Sequence, residues 1–201
     1  AVAAINPHQA DCQFPFKHLA AVGIVFNFLI ALRGVLRQDG FWNDKTYPNL
    51  KQYLDLVALG TIGDIVPLVD ENRIFAKIGL GLITEEWRVG LKALKEVCGI
   101  DNQSVDSAKA SYNLIPRINA PGRIASPQDA VQLLMTNDME EARQIARRLD
   151  SHNRKRQDIE KAILKEIIDD IEGSLSHEKG HVFVYASTKW HPGVIGIVAS
   201  R

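Results

Sequence analysis

The hydrophobic positions fall into several helical segments. From Leu19 to Arg37 apolar residues occupy every face until Arg33 and Arg37, which predicts a fully buried helix ending at Gly40. Its apolar run, Leu19–Leu32, is about 14 residues and holds Gly23 and Asn27. A bilayer span needs about 20, so the run reads as a core helix. Pro48-Asn49 opens a second helix through Tyr53, Leu56, Val57 and Leu59 to Gly60. Asp70-Glu71-Asn72 caps a third, with Ile74, Phe75, Ile78 and Leu82 as its apolar face. Leu91, Leu94 and Val97 mark a fourth, stopped by Gly99. Tyr112–Arg123 reads as irregular, because Pro116, Pro121 and Gly122 interrupt it. Pro127 starts a further helix carrying Ala130, Val131, Leu133 and Leu134.

From Met139 to Ile171 the helical period is sustained by Ala142, Ile145, Ala146 and Leu149, then Ile159, Ile163, Ile167 and Ile171. The middle, Asp150–Asp158, is almost wholly polar. One helix of this length extends about 50 Å, and apolar ends around a solvated middle describe a spacer between domains. Two shorter helices with a break near Ser151–Asn153 fit the same pattern. Val2–Pro7 reads as strand and loop. After a polar turn at Gly173–Gly180, His181–Ala186 alternates like a strand, Trp190–Gly193 makes a loop and Val194 begins a helix. Strand, loop and helix together open an α/β unit. The first residues already read as strand, and the chain stops inside an apolar run, so an internal piece of a longer protein is expected.

Composition narrows the class. A chain of 201 residues, 46% hydrophobic, buries a core without staples. Cys12 and Cys98 stand apart with no metal-ligand spacing and are expected to be reduced thiols of a cytoplasmic protein; a single disulfide between them is the alternative. The formal net charge is zero, so bulk charge gives nucleic-acid binding no support and any such case rests on local clusters. No phosphate-binding P-loop, dinucleotide fingerprint, nucleophile elbow or zincin motif occurs. Six scattered histidines form no zinc pattern.

Four segments carry candidate chemistry. In Leu54–Leu68, Asp55 and Asp64 flank an apolar helix ending in Gly60-Thr61. A half-buried Asp64 outside a helix interior calls for a cation or hydrogen bonds, and a hard metal ion serves; a helix- or turn-capping aspartate is the plainer reading. In Pro116–Arg123, Arg117, Asn119 and Arg123 make a compact donor set whose guanidinium forks match phosphate oxygens, or else form surface ion pairs. Arg143, Arg147, Arg148, Arg154, Lys155 and Arg156 line either a phosphate track or a solvated helix face. In Trp190–Gly196, helix-start N–H groups offer an anion site and Trp190 a stacking surface, unless the turn is simply packed by Trp190.

Taken in order, Ile5-Asn6-Pro7, Leu19–Phe26, Leu54–Leu68, Glu71-Asn72-Arg73, Pro116–Arg123, Leu149-Asp150 with Asn153-Arg154, and Trp190–Arg201 resemble the RecJ family of single-strand-specific exonucleases, within the DHH phosphoesterases. The resemblance covers essentially the whole chain. It departs where Gly63 and Pro121 replace the usual alanines, which removes no functional group.

The resemblance implies a fold of class α/β. Residues 1–137 would be the C-terminal portion of the DHH catalytic domain, 138–173 the connecting helix, and 174–201 the start of a DHHA1 domain. It implies 5′→3′ hydrolysis of single-stranded DNA in repair and recombination, with two Mn2+ or Mg2+ ions clamping the scissile phosphate. It makes Asp64 a catalytic metal ligand and assigns strand contact to Arg117, Asn119, Arg123, Trp190, His191 and Gly193, with Arg123 foremost. Single-strand-binding protein is an implied partner, and no membrane is. The remaining ligands, including the Asp-His-His motif, would precede Ala1, so the chain alone is expected to be inactive. Rival readings are a nuclease of short oligonucleotides or cyclic dinucleotides, a non-catalytic single-strand-binding or scaffold relative, and an unrelated helical domain.

Overall fold

The computed structural model describes residues 4–43, 46–174 and 183–201. The apolar runs form helices α1 (Ala21–Gln38), α2 (Leu54–Gly63), α3 (Asp70–Thr84), α4 (Val89–Cys98) and α7 (Gln128–Met135). Asn49 accepts the Lys51 N–H and caps a 3-10 turn, Leu50–Tyr53, that feeds α2. Gly99 ends α4 in the left-handed conformation, φ 69°, as its lack of a Cβ permits.

Helix α2 is the axis of the first half. Leu54, Val57, Ala58, Leu59 and Ile62 are all buried because neighbours cover several of its faces. Helix α3 lies so close that a Cβ on Gly79 would sit 2.0 Å from the Leu54 carbonyl oxygen. Buried Asn72 ties the preceding loops together, donating from Nδ2 to the His18 and Pro67 carbonyls at 2.7 and 3.0 Å. Asp55, only 1% exposed, accepts Arg88 Nε at 2.6 Å, while Arg88 also reaches the Leu134 carbonyl at 3.0 Å. That buried pair joins α2 to the α4–α7 half. It is a structural aspartate.

Three apolar clusters result. One gathers α2, α4, α7 and the first turns of α8 (Met139–Ser174). A second packs α1 on α2 and α3 through Phe26, Leu54, Val57 and Phe75. The third joins the far part of α8 to α9 (Pro192–Val198) through Ile163, Val194 and Val198.

Several expectations change. Helix α1 is not fully buried: Val25, Phe28, Leu32 and Val35 are 40–55% exposed, because α2 and α3 cover only one side of it. Ile74 of α3 and Val131 of α7 likewise face outward. The segment read as irregular is helical, running from α5 (Ser107–Lys109) through a π-helical turn, Ala110–Leu114, into α6 (Ile115–Ile124). Pro116 follows the π-helical turn directly, where the ordinary hydrogen-bond ladder is already interrupted, and Pro121 lies inside α6 near its end. Among the described residues no strand forms, so the expected α/β pattern is absent from them. Residues 4–6 and 183–187 carry no regular structure and have no neighbouring strand to share a ladder. The beginnings of both expected strands, 1–3 and 181–182, lie outside the described residues.

The long helix is one unbroken element of 36 residues, without a break at Ser151–Asn153. Its polar middle is not simply solvated, for Asp150, Asn153 and Glu160 are buried.

Candidate functional site

Helix α2 carries Asp64 at its C-terminal end, where the Asp64 N–H donates to the Gly60 carbonyl at 2.9 Å. Asp64 is exposed, not half-buried, because the chain turns outward directly after it. Ile65 makes that turn at φ 56° with 89% of its surface exposed, an unusual conformation for a β-branched residue. Such strain clusters at functional turns. Its presence beside Asp64 is a signal that sequence pattern does not reveal.

The α2 end abuts the start of α6: a Cβ on Gly63 would meet Ile115 Cγ2 at 3.4 Å. On α6 the three predicted donors part company. Arg117 turns inward, donating from Nε to Asp150 at 2.8 Å and from Nη1 to the Asn113 carbonyl at 2.7 Å. Its guanidinium is committed to α8. Asn119 and Arg123 are exposed and lie four residues apart, so one helix face presents both. Arg123 reaches toward α9, with Nη1 3.4 Å from the Gly193 carbonyl.

Helix α9 approaches α6 at Gly193, where a Cβ would lie 2.0 Å from the Arg123 carbonyl oxygen. Only glycine fits that contact. The expected anion site at the start of α9 is not open. The Gly193 N–H donates to His191 Nδ1 at 3.1 Å, and the Val194 and Ile195 N–H groups reach the His191 carbonyl. His191 is thus a helix cap here. Trp190 is half-buried in the third cluster and donates from Nε1 to Glu166 at 2.9 Å.

The basic track along α8 is largely neutralised. Arg143 pairs with Glu96, Arg148 with Asp129, Arg154 with Asp150, and Arg156 with Glu160. The Arg143 and Arg148 hydrogen bonds hold the Glu96 and Asp129 carboxyls below their usual range. Of the acceptors, the sequence reading singled out Asp150 and Asn153 only within the resemblance and did not name Glu160; the three recur on one helical face, a period that marks a buried polar stripe as readily as an apolar one.

A two-ion centre needs several oxygen ligands around each ion. Among the described residues no three His, Cys, Asp or Glu side chains converge as one would require. Asp64 supplies one carboxylate and does not complete such a centre alone.

Comparison with known proteins bears on the whole chain. No family model matches. The chain is 41% identical over 207 residues to the single-stranded-DNA-specific exonuclease RecJ of Salmonella typhimurium, and 38% identical over 199 residues to the RecJ of Bacillus subtilis. These alignments take in 100% and 99% of this chain but 36% and 23% of the relatives' lengths. Crystal structures of RecJ from Thermus thermophilus with Mn2+ and with Mg2+ superpose with TM-scores of 0.76 and 0.77 at 32% identity. They match 96% and 94% of this chain and 26% and 28% of theirs.

Proposed function

The chain belongs to the RecJ family, and on that ground we propose that it is part of a 5′→3′ exonuclease acting on single-stranded DNA in repair and recombination. The observation that carries the proposal is the colinear 41% identity along the entire chain to a protein named for that activity. The chain spans little more than a third of that relative's length, and the activity is proposed for the whole protein.

In this reading residues 1–137 complete the DHH catalytic domain, α8 connects, and 174–201 begin DHHA1. The α/β architecture belongs to the whole protein, with this chain contributing chiefly helices. Asp64 is proposed as one oxygen ligand of a Mn2+ or Mg2+ pair, the ions named for the solved relatives. With ions held there, Asp64 would share in a centre that would polarise the scissile phosphate and supply a hydroxide. The described residues do not by themselves assemble that centre.

What this chain's residues do is hold the strand. Asn119 and Arg123 are exposed on α6, Arg123 next to the start of α9, and suit phosphate oxygens. Gly193 and His191 shape the neighbouring wall, while Arg117 and Trp190 tie α6 and that wall to α8 through Asp150 and Glu166. Single-stranded DNA is the proposed partner, with single-strand-binding protein a further one in the cytoplasm; the sequence reading implies no membrane partner.

The test is digestion of 5′-labelled single-stranded DNA by the full-length protein and its Asp64→Ala variant. Loss of cleavage with retained DNA binding supports the assignment. An active Asp64→Ala enzyme refutes the ligand role. A full-length protein that binds single strands but never cleaves them moves the reading to the scaffold alternative.

A further inference from the structure

The buried polar stripe of α8 ends at Glu160, whose carboxylate takes one guanidinium on each oxygen. Oε2 accepts Arg156 Nη1 at 2.9 Å, one turn back on α8. Oε1 accepts Arg201 Nε at 3.0 Å and Nη2 at 2.9 Å, from just beyond α9. Both Glu160 and Arg156 are largely buried, with side chains 9% and 11% exposed. Arg156 also donates from Nη2 to Asn153 at 3.0 Å, while its buried Nε has no partner among the described residues. The seam is thus charge-dense and leans positive, since the charges of Arg123 and Arg201 both act on Arg156. The Glu160 carboxylate offsets part of that charge.

The same residues lie where α9 meets the rest of the molecule. Ile163, almost one turn beyond Glu160, packs with Val194 and Val198 of α9. On its other side α9 touches the Arg123 backbone through Gly193. Apolar contacts alone leave α9 free to slide, whereas a carboxylate bridging two guanidiniums fixes direction and register.

We propose that Glu160 is a positioning residue: by joining Arg156 of α8 to Arg201 it seats α9, and so keeps Gly193 and His191 in register with Arg123 of α6. The inference rests on the reading that α6 and the α9 entry face the DNA strand. Without the carboxylate, the largely buried Arg156 guanidinium loses its counter-charge and repels that of the more exposed Arg201. The end of α9 moves away, and the two walls of the strand-binding surface part.

Trp190 reports the seating directly, since it packs in the α8–α9 cluster. In protein carrying Trp42→Phe and Trp87→Phe, its emission and its quenching by acrylamide are measured for the parent, Glu160→Gln, Arg201→Gln and the double variant. Affinity for a short 5′-phosphorylated oligothymidylate is measured alongside. Glu160→Gln is expected to shift Trp190 emission to the red, increase quenching and weaken binding on the order of tenfold, with helix content unchanged. The double variant is expected to recover part of both, because removing Arg201 relieves the surplus charge.

Unchanged Trp190 emission and quenching in Glu160→Gln overturns the proposal, as does a double variant equal to the sum of the singles. Should Glu160→Gln fail to fold, Arg201→Gln decides: its side chain is 61% exposed, and an unmoved Trp190 signal there overturns the proposal too. If the parent itself fails to bind the oligonucleotide, the proposed function falls while the Trp190 signal still judges the seating of α9.

Discussion

Ile65 carries a left-handed backbone, φ 56°, with its side chain almost entirely in water. Neither packing nor propensity favours isoleucine there, and the conformation costs roughly 1–2 kcal/mol relative to an ordinary one. Ile65→Gly is therefore expected to raise stability by about 1 kcal/mol, net of glycine's greater unfolded-state entropy, read as a higher urea midpoint. A lower midpoint would mean the isoleucine makes a contact that outweighs its strain. The thiol of Cys98 is governed by its surroundings in the opposite sense. Burial pushes it up to about 11, against a smaller lowering by Arg117, and its Sγ lies 3.5 Å from the Asn113 carbonyl. At pH 8 the thiolate that reacts is scarce. Iodoacetamide is expected to leave Cys98 unmodified in the folded protein and to label it on unfolding; prompt labelling of native Cys98 would contradict the burial. Among residues assigned to function from sequence, Asp64, Asn119 and Arg123 are exposed. Arg117 and His191 instead spend their polar atoms on structure. Arginines that bind phosphate and arginines that bind carboxylate look identical in a sequence, because both uses need the same fork.

Helix α8 shows what periodicity can and cannot say. Its extent was legible from Met139 onward, since apolar residues kept step at both ends, but its continuity across Ser151–Asn153 was decided by the structure. Its role as a bare spacer was not, because polar residues are buried whenever a partner satisfies them. Asp150 does so with Arg117 from α6, and Glu160 with Arg201 beyond α9. Helix α6 errs the other way: two prolines and a glycine argue against a helix that nonetheless forms, stabilised by packing on α8 and by the Arg117 anchor. The ion pairs Arg143–Glu96 and Arg148–Asp129 fasten α8 to α4 and α7. Hydrogen bonds from the arginines depress both carboxyls below their unfolded values of 4.5 and 3.8. A depressed carboxyl stabilises the fold fully above its unfolded pKa and ceases to as pH falls through its folded one. Melting temperature is therefore expected to hold from pH 7 to about 5 and to fall below about pH 4.5. Replacing Glu96 and Asp129 by Gln and Asn should flatten that fall; an equally steep decline would assign it to other groups. The effect is modest because both pairs are partly solvated.

At the scale of the molecule, three clusters are strung along α2 and α8, and α1 leaves Val25, Phe28, Leu32 and Val35 exposed along one side. The catalytic proposal concerns a protein of which this chain matches 36% of a relative's length. Since Asp64 stands without convergent ligands among the described residues, the 201-residue chain incubated with single-stranded DNA and Mn2+ or Mg2+ is expected to release no nucleotides. Metal-dependent digestion by a clean preparation would show that a complete site exists within these residues. Binding is a separate matter. Asn119 and Arg123 are the exposed donors of the proposed strand contact, and if they hold it, affinity is expected to fall as salt rises in step with the phosphate contacts made.

Local chemistry alone determined the helices whose signals are local: caps at Asn49, a left-handed stop at Gly99, and sustained periods in α3 and α8. The family was legible as a resemblance, carried by the Leu54–Leu68 and Pro116–Arg123 strings. Tertiary structure decided which of those residues face water. It turned Arg117 inward and Asn119 outward, closed the α9 N–H groups on His191, and buried the polar stripe of α8. The reason is that burial and pairing depend on groups distant in sequence. Asp150 lies 33 residues from Arg117 and Glu160 lies 41 from Arg201, and no window on either partner contains the other.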